Sequence, residues 1–346
     1  MTALQTAIDA VNKFTTGAED WRIAATVKGL LCGYDQQWGS VQPSITLIET
    51  EGMYIAPLTN VETQKDSRTW RIGGKIDKLA KDNGMVLYDH KTTSMEIEDA
   101  NSPYWRQLVV ESQASHYELL LIMNGIRLDR IVWDVVRKPG IKPKKLAAAD
   151  RKAVTSLGMY CGYKVSPETQ TEMITEEREN EELYMLRVAR ECIDEPGRYF
   201  ARRSVPRTRE ELHEYAVELW EIGQEMLGTR NTGRHFRNSG ACMSFNTPCS
   251  FLGICSGHDT IDSDKWARVK NVHRELEQLE GDGKDLLTNS RIRTYQTCRR
   301  KHHLKYEIGI ERIDEEERES LFFGQVFHVA MDAYWKSTCR SEVPCN

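Results

Sequence analysis

The stretch "WRIGGKIDKLAKDNGMVLYDHKTT", residues 70–93, leaves this chain few choices. β-Branched and apolar residues come in two short runs, "WRIGGKIDKLA" and "GMVLYDHKTT", and "KDNG" between them has the Asp-Asn-Gly chemistry of a tight turn. Two antiparallel strands are predicted. Side chains alternate faces along a strand, so Asp89 and Lys91 project together while His90 points away. With the turn centred on Asn83, Asp77 falls opposite Asp89, and two carboxylates then share a face with a lysine. Such a pair repels itself unless a divalent cation offsets the charge, and hard oxygen ligands suit Mg²⁺ or Mn²⁺. An exposed hairpin of mixed charge is the plainer account of the same residues.

The flanking sequence supplies more strands and several helices. From Ala3 to about Trp38, Leu4, Ile8, Val11, Ile23, Val27, Leu30 and Leu31 recur at helical spacing, with Gly33 as a stop signal. Residues 44–54 read as a strand. "YWRQLVVESQASHYELLLIMNG" reads as one helix ending at Asn124-Gly125, with Gln113 and Tyr117 a turn apart on one face, and "RLDRIVWDVVRK" returns to strand. Strands and a helix therefore alternate through residues 44–138, which is an α/β pattern. Residues 176–228 are charged, amphipathic and helical, with a break at Glu195-Pro196-Gly197. The divisions that follow are a helical segment at 1–40, a core at 41–138, a helical subdomain at 139–230, a three-cysteine loop at 231–256, a linker with at most one helix at 257–289, and a final segment at 290–346. A formal net charge of −5 provides no global field for nucleic acid, so any such binding must come from local basic patches. No apolar run long enough to span a membrane and no secretory leader pattern is present, which sets the expectation of a cytosolic protein with reduced thiols.

Gly74-x-x-Asp77, an eleven-residue gap, Asp89-x-Lys91 and a following helix with Gln113-x-x-x-Tyr117 together resemble the PD-(D/E)XK nuclease superfamily. The likeness is greatest to its RecB-like branch, which includes the CRISPR-associated iron–sulfur exonucleases and many phage nucleases. That resemblance implies a restriction-endonuclease-like core, a mixed central sheet flanked by helices. It implies that Asp77 and Asp89 bind Mg²⁺ or Mn²⁺ with the His90 backbone carbonyl as a further ligand, that Lys91 assists catalysis, and that Gln113 and Tyr117 contact DNA beside the scissile phosphate. The branch also has a helical metal-binding histidine after a Phe-Gly, which "FFGQVFHVAMDAYW" supplies as His328. Glu49, at the end of "ITLIE", is a weaker candidate for the same centre, a solvated strand-end glutamate being the plainer reading. The activity implied is hydrolysis of phosphodiester bonds at DNA ends or in single strands, and a phage-encoded enzyme acting in a host cytoplasm is within the range of the branch.

Nine cysteines, at 32, 161, 192, 242, 249, 255, 298, 339 and 345, form an odd, dispersed set that suits metal ligation better than disulfides. "CMSFNTPCSFLGIC" places Cys242, Cys249 and Cys255 in one loop, as coincidence, zinc site or iron–sulfur site. The paired spacings that zinc knuckles favour are absent, whereas a four-iron cluster tolerates irregular spacing but needs a fourth thiolate. In the iron–sulfur nucleases one cysteine comes from a Y-x-x-C segment, and "YQTCRRKHHLKY" supplies Cys298, although Arg299 stands where that family has proline. The resemblance thus implies a [4Fe–4S] cluster that staples the fold, with zinc as the alternative.

The segment "SRIRTYQTCRRKHHLKYE" carries Arg291, Arg293, Arg299, Arg300, Lys301 and Lys305 as candidate phosphate contacts, and Tyr295 and Tyr306 as candidate stacking residues; a solvated basic helix face would look the same. Residues 137–145 and 198–209 are further basic stretches. The motif order is rotated, because the Cys298 and His328 segments follow the core here and precede it in the family. Either the chain is a circular permutation joined through 257–289, or residues 287–346 begin a partial second copy. Two rival readings are a catalytically inactive DNA-binding partner in recombination or replication, and a zinc-stabilised interaction module.

Overall fold

The computed structural model describes residues 2–18, 20–244, 247–276, 284–313, 319–338 and 340–341. Cys339, Cys345 and parts of the expected linker and final segment lie outside the described residues. The chain opens with α1 (Ala3–Phe14) and α2 (Trp21–Trp38), capped by the side chains of Thr2 and Asp20. Helix α2 does not stop at Gly33. A Cβ there would sit 2.6 Å from the Cys192 Cβ and 3.0 Å from the Phe200 ring, so this glycine permits a close crossing.

Seven strands form one mixed sheet: β1 (Thr46–Thr59), β2 (Asp66–Lys81), β3 (Met85–Thr93), β4 (Arg130–Arg137), β5 (Phe200–Ser204), β6 (Asp285–Leu287) and β7 (Arg340–Ser341). The order is β7-β1-β2-β3-β4-β5, with β6 parallel to β2 and β3 parallel to β4. Two of these strands come from segments with no strand signature. Phe200–Ser204 lies in a stretch whose charges read as helical, yet it pairs antiparallel with Val132–Val136. Asp285–Leu287, expected to be linker, pairs with Trp70–Ile72.

Strand β2 is longer than its neighbours on one side, and this splits the sheet. Its far edge pairs with β3 only over Lys78–Lys81 and with β6 only over Trp70–Ile72. Among the described residues, the backbone of 73–77 has no strand partner on that side. Gly73 and Gly74 let the walls of the gap close in, since a Cβ on Gly73 would lie 2.7 Å from Leu286 and one on Gly74 would lie 2.9 Å from the Tyr117 ring.

Helices cover both faces. On one face α1, α2, α5 (Glu181–Asp194) and α9 (Glu319–Thr338) bury Tyr34, Tyr88, Val132, Phe327 and Trp335. On the other lie α3 (Pro103–Val109) and α4 (Ser112–Met123), packed on Leu87 and Trp133, and α6 (Arg209–Thr232), packed on Trp70. The single helix expected over 104–125 is two, because Arg207 donates to the Glu111 carbonyl at 3.0 Å and Arg293 pairs with the Glu111 carboxylate at 2.9 Å, at the junction. After β6 come α7 (Asn289–Thr297), α8 (Arg299–His302) and a π-helical turn at 303–308.

Gly33→Ala is expected to destabilise the fold by about 1–3 kcal/mol through overpacking. The midpoint of urea unfolding should fall with its slope unchanged. An unchanged midpoint would show that the α2 crossing has room to spare.

Candidate active site

The β1–β2–β3 ladder aligns three carboxylates. Thr50 pairs with Lys78 and Gly52 with Ile76, which sets Glu51 opposite Asp77. On the other side the β2–β3 ladder ends at Lys78 and Tyr88, which sets Asp77 beside Asp89. Directly opposed residues share a face, so the acids form a row across the sheet. The His90 amide donates to Asp77 Oδ2 at 2.7 Å, His328 Nδ1 on α9 lies 3.6 Å from Asp77 Oδ1, and ligand atoms of Glu51, Asp77 and His328 all lie within 4.8 Å of one another. Glu51, held in the left-handed region at φ 54°, was not singled out from sequence; its alternation with Glu49 in "IETEG" is the signal that could have found it.

Lys91 Nζ lies 2.6 Å from Asp89 Oδ2, at an angle that leaves this oxygen without a hydrogen bond, and donates to Gln113 Oε1 at 2.7 Å. Gln113 Nε2 donates to Asp89 Oδ1 at 3.2 Å and to the Tyr117 hydroxyl at 2.9 Å. Acid, lysine, glutamine and tyrosine therefore form one connected group. It opens on a cleft of about 340 Å³ lined by Gly73, Gly74, Lys75, Gln113, Tyr117 and, from the start of α7, Asn289, Ser290 and Arg293.

Burial, together with the charge of Asp89, pushes the Asp77 carboxyl above the ordinary carboxylate range, against the pull of His328 and Lys91. The crowded Glu51–Asp77–His328 donors fit a hard divalent cation, which would relieve the same repulsion.

Behind the row, the His90 side chain enters the opposite core. Its Nε2 accepts from Trp335 Nε1 at 3.0 Å, which leaves the ring proton on Nδ1, 3.5 Å from Asp134 Oδ2. Burial lowers its pKa to about 3, so it stays neutral. Burial raises the Asp134 carboxyl, but Arg202, His90 and the Tyr34 hydroxyl at 2.5 Å more than offset this and hold it low. Glu49 is separate from these contacts; its Oε1 is buried without a partner and burial raises its carboxyl.

The family model described as the PD-(D/E)XK nuclease superfamily matches residues 2–256 and 287–345. The chain belongs to the PD-(D/E)XK nuclease superfamily. No curated protein and no solved structure matches it. The superfamily is one of metal-dependent nucleases, and the mixed sheet flanked by helices is consistent with its fold.

Elsewhere in this nuclease-superfamily chain, Cys242, Cys249, Cys255 and Cys298 line one small cavity with Asn238, Phe251 and Lys301. The Asn238 amide donates to Cys298 Sγ at 3.5 Å. Burial and the neighbouring Cys249, Cys298 and Cys242 push the Cys255 thiol up, against Arg300. Among the described residues, no three of these sulfurs come within 4.8 Å of one another, whereas tetrahedral zinc at ~2.3 Å per thiolate needs sulfurs ~3.8 Å apart.

The basic segment needs correction. Arg291 is 0% exposed, its guanidinium bound to Asp285 at 2.6 Å and its Nε donating to His302, so it is a core ion pair and not a phosphate contact. Tyr295 is 3% exposed with its hydroxyl at Thr229, and Tyr306 is also buried, so neither can stack on a base. Arg293, Arg299, Arg300 and Lys305 reach the surface, while Lys301 is half-buried at the cysteine cavity. In the other basic stretches Arg202 is bound to Asp134 and Arg203 lies over the Trp105 ring, while Lys138 and Lys145 pair with Glu319 and Glu177 at the surface. Among the described residues, no helix is long and apolar enough to cross a membrane.

In chelator, the folded protein retains a proton on Asp77 that the unfolded chain has released, so stability should fall as pH rises from the ordinary carboxylate value of 3.8 towards neutrality. Asp77→Asn should flatten this slope and raise the melting temperature near neutral pH. Parallel loss of stability in both proteins would refute the assignment.

Proposed function

We propose that this chain is a deoxyribonuclease that hydrolyses phosphodiester bonds at DNA ends or in single strands, using Mg²⁺ or Mn²⁺. The observation that carries this reading is the row Glu51–Asp77–Asp89 with Lys91 hydrogen-bonded to Gln113, which itself lines the neighbouring cleft. Asp77, Asp89, His328 and Glu51 would hold the cation, with the His90 carbonyl beside them. When bound, it supplies Lewis acidity to the phosphate and its attacking water. Lys91, paired with Asp89 and steered by Gln113, stands ready to stabilise charge that develops on the phosphoryl oxygens. Tyr117 closes the cleft over Gly74, and Arg293 of α7, half-exposed and paired with Glu111, would turn to the adjoining phosphate.

The gathering of Cys242, Cys249, Cys255 and Cys298 at one cavity beside the apolar cluster of Phe251, Trp266, Leu304 and Ile310 supports a four-thiolate [4Fe–4S] staple, with zinc as the alternative. Such a cluster would tie α8 to the loop after α6. The reading of a rotated motif order rests on α9 packing on the same sheet face as α2, with Thr50 bound to Asp332 and Tyr334 to Asp35.

Incubated with labelled single- and double-stranded DNA, anaerobically purified protein should cut only with Mg²⁺ or Mn²⁺, and Lys91→Ala should lower the rate by on the order of 10²-fold or more. Binding without cleavage in wild type would favour an inactive DNA-binding protein instead. For the cluster, the protein should be brown and Cys249→Ser should bleach it; a colourless protein with stoichiometric zinc would refute iron.

A further inference from the structure

The histidine pair in "CRRKHHLKY" has a role that neither the cleft nor the cysteine cavity uses. His303 stands at the start of the π-helical turn 303–308, and π-helical turns recur at functional sites. Its ring stacks on that of His235, from the loop after α6, with centroids 3.6 Å apart and planes 18° apart. Both rings face Glu307. His303 Nδ1 lies 2.6 Å from Glu307 Oε2, and His235 Nε2 lies 3.7 Å from the same oxygen. The His235 side chain is 8% exposed, and its Nδ1 is buried without a hydrogen-bond partner.

We propose that His235, His303 and Glu307 form a second metal site that takes a transition-metal divalent cation, Zn²⁺ foremost. Ligands around tetrahedral zinc at ~2.0–2.1 Å lie ~3.3 Å apart; the two separations from Glu307 Oε2 bracket that value, and the stacked rings would splay so that both lone pairs converge on the ion. Two imidazoles and one carboxylate select zinc-like ions over Mg²⁺, which prefers oxygen donors and keeps its water. Arg230 Nε, 3.5 Å from Glu307 Oε1, and His302 Nδ1, 3.8 Å from that oxygen, occupy the other side of the carboxylate and leave Oε2 for the cation. The ion would fasten the 233–242 loop onto the segment that carries Cys298, beside the Arg300 amide that donates to the Phe236 carbonyl at 3.1 Å. Its role is structural, and it holds whether or not the cleft cuts DNA.

The test is metal counting on full-length protein stripped with chelator, dialysed against Zn²⁺ and freed of excess. His235→Ala is the first variant, because its ring makes no hydrogen bond whose loss would unfold the chain. It and Glu307→Gln should each bind about one zinc ion fewer per chain than wild type, while Asp77→Asn and Cys249→Ser keep that ion. Zn²⁺ should also raise the melting temperature of wild type and leave that of His235→Ala unmoved. Equal zinc content in wild type and His235→Ala would overturn the site and leave Glu307 as an ion-pair hub. Should Glu307→Gln fail to fold, protection of His235 from diethyl pyrocarbonate by Zn²⁺ in the wild type decides the question: no protection refutes the site.

Discussion

Burial of Asp77 beside the Asp89 carboxylate is the constraint that much of this structure serves. Adjacent carboxylates on neighbouring strands are costly there, and Asp77 shows this by holding its proton too tightly, while Glu51 is paired with Lys75. The row nevertheless persists because β3 is anchored from behind. On the core face His90 is wedged between Trp335 and Asp134, with Arg202 and Tyr34 completing the charge balance. Removing one partner of the buried Asp134–Arg202 ion pair would typically cost about 3–5 kcal/mol, so this arrangement resists slippage of the register. The alternation of one strand thus sends Asp89 and Lys91 to the chemistry and His90 to the scaffold.

Access to the row depends on incomplete pairing. Strand β2 gives its far edge to β3 at one end and to β6 at the other, and the interval between them is where Gly73 and Gly74 lie. Larger residues would press into Leu286 and Tyr117 and force the walls apart. His116 also secures this interval, with Nε2 3.1 Å from the Gly73 carbonyl and Nδ1 2.9 Å from the Tyr215 hydroxyl. Both walls come from segments remote in sequence.

One cation of residues 290–307, Arg291, is spent inside the protein. Arg291 lies over Trp70 and binds Asp285, which itself is held near a pKa of about 2; burial raises that carboxyl, and Arg291 and Arg230 more than compensate. A guanidinium looks the same in sequence whether it faces a phosphate or a buried aspartate. The partner acid lies six residues upstream, across a strand that had no strand signature of its own.

The residues of the hairpin, the Asp89-x-Lys91 alternation and the Gln113/Tyr117 spacing were legible from the chain alone, because strand and helix periods are local properties. So was the α/β character. Edge strands at 200–204 and 285–287 were not, since each is held by the neighbour it pairs with and not by its own pattern. Nor was Glu51 in the acid row, which depends on a register that only the folded sheet defines. Sequence determined which residues could do chemistry; tertiary structure decided which of them meet, because burial and cross-strand pairing join segments hundreds of residues apart.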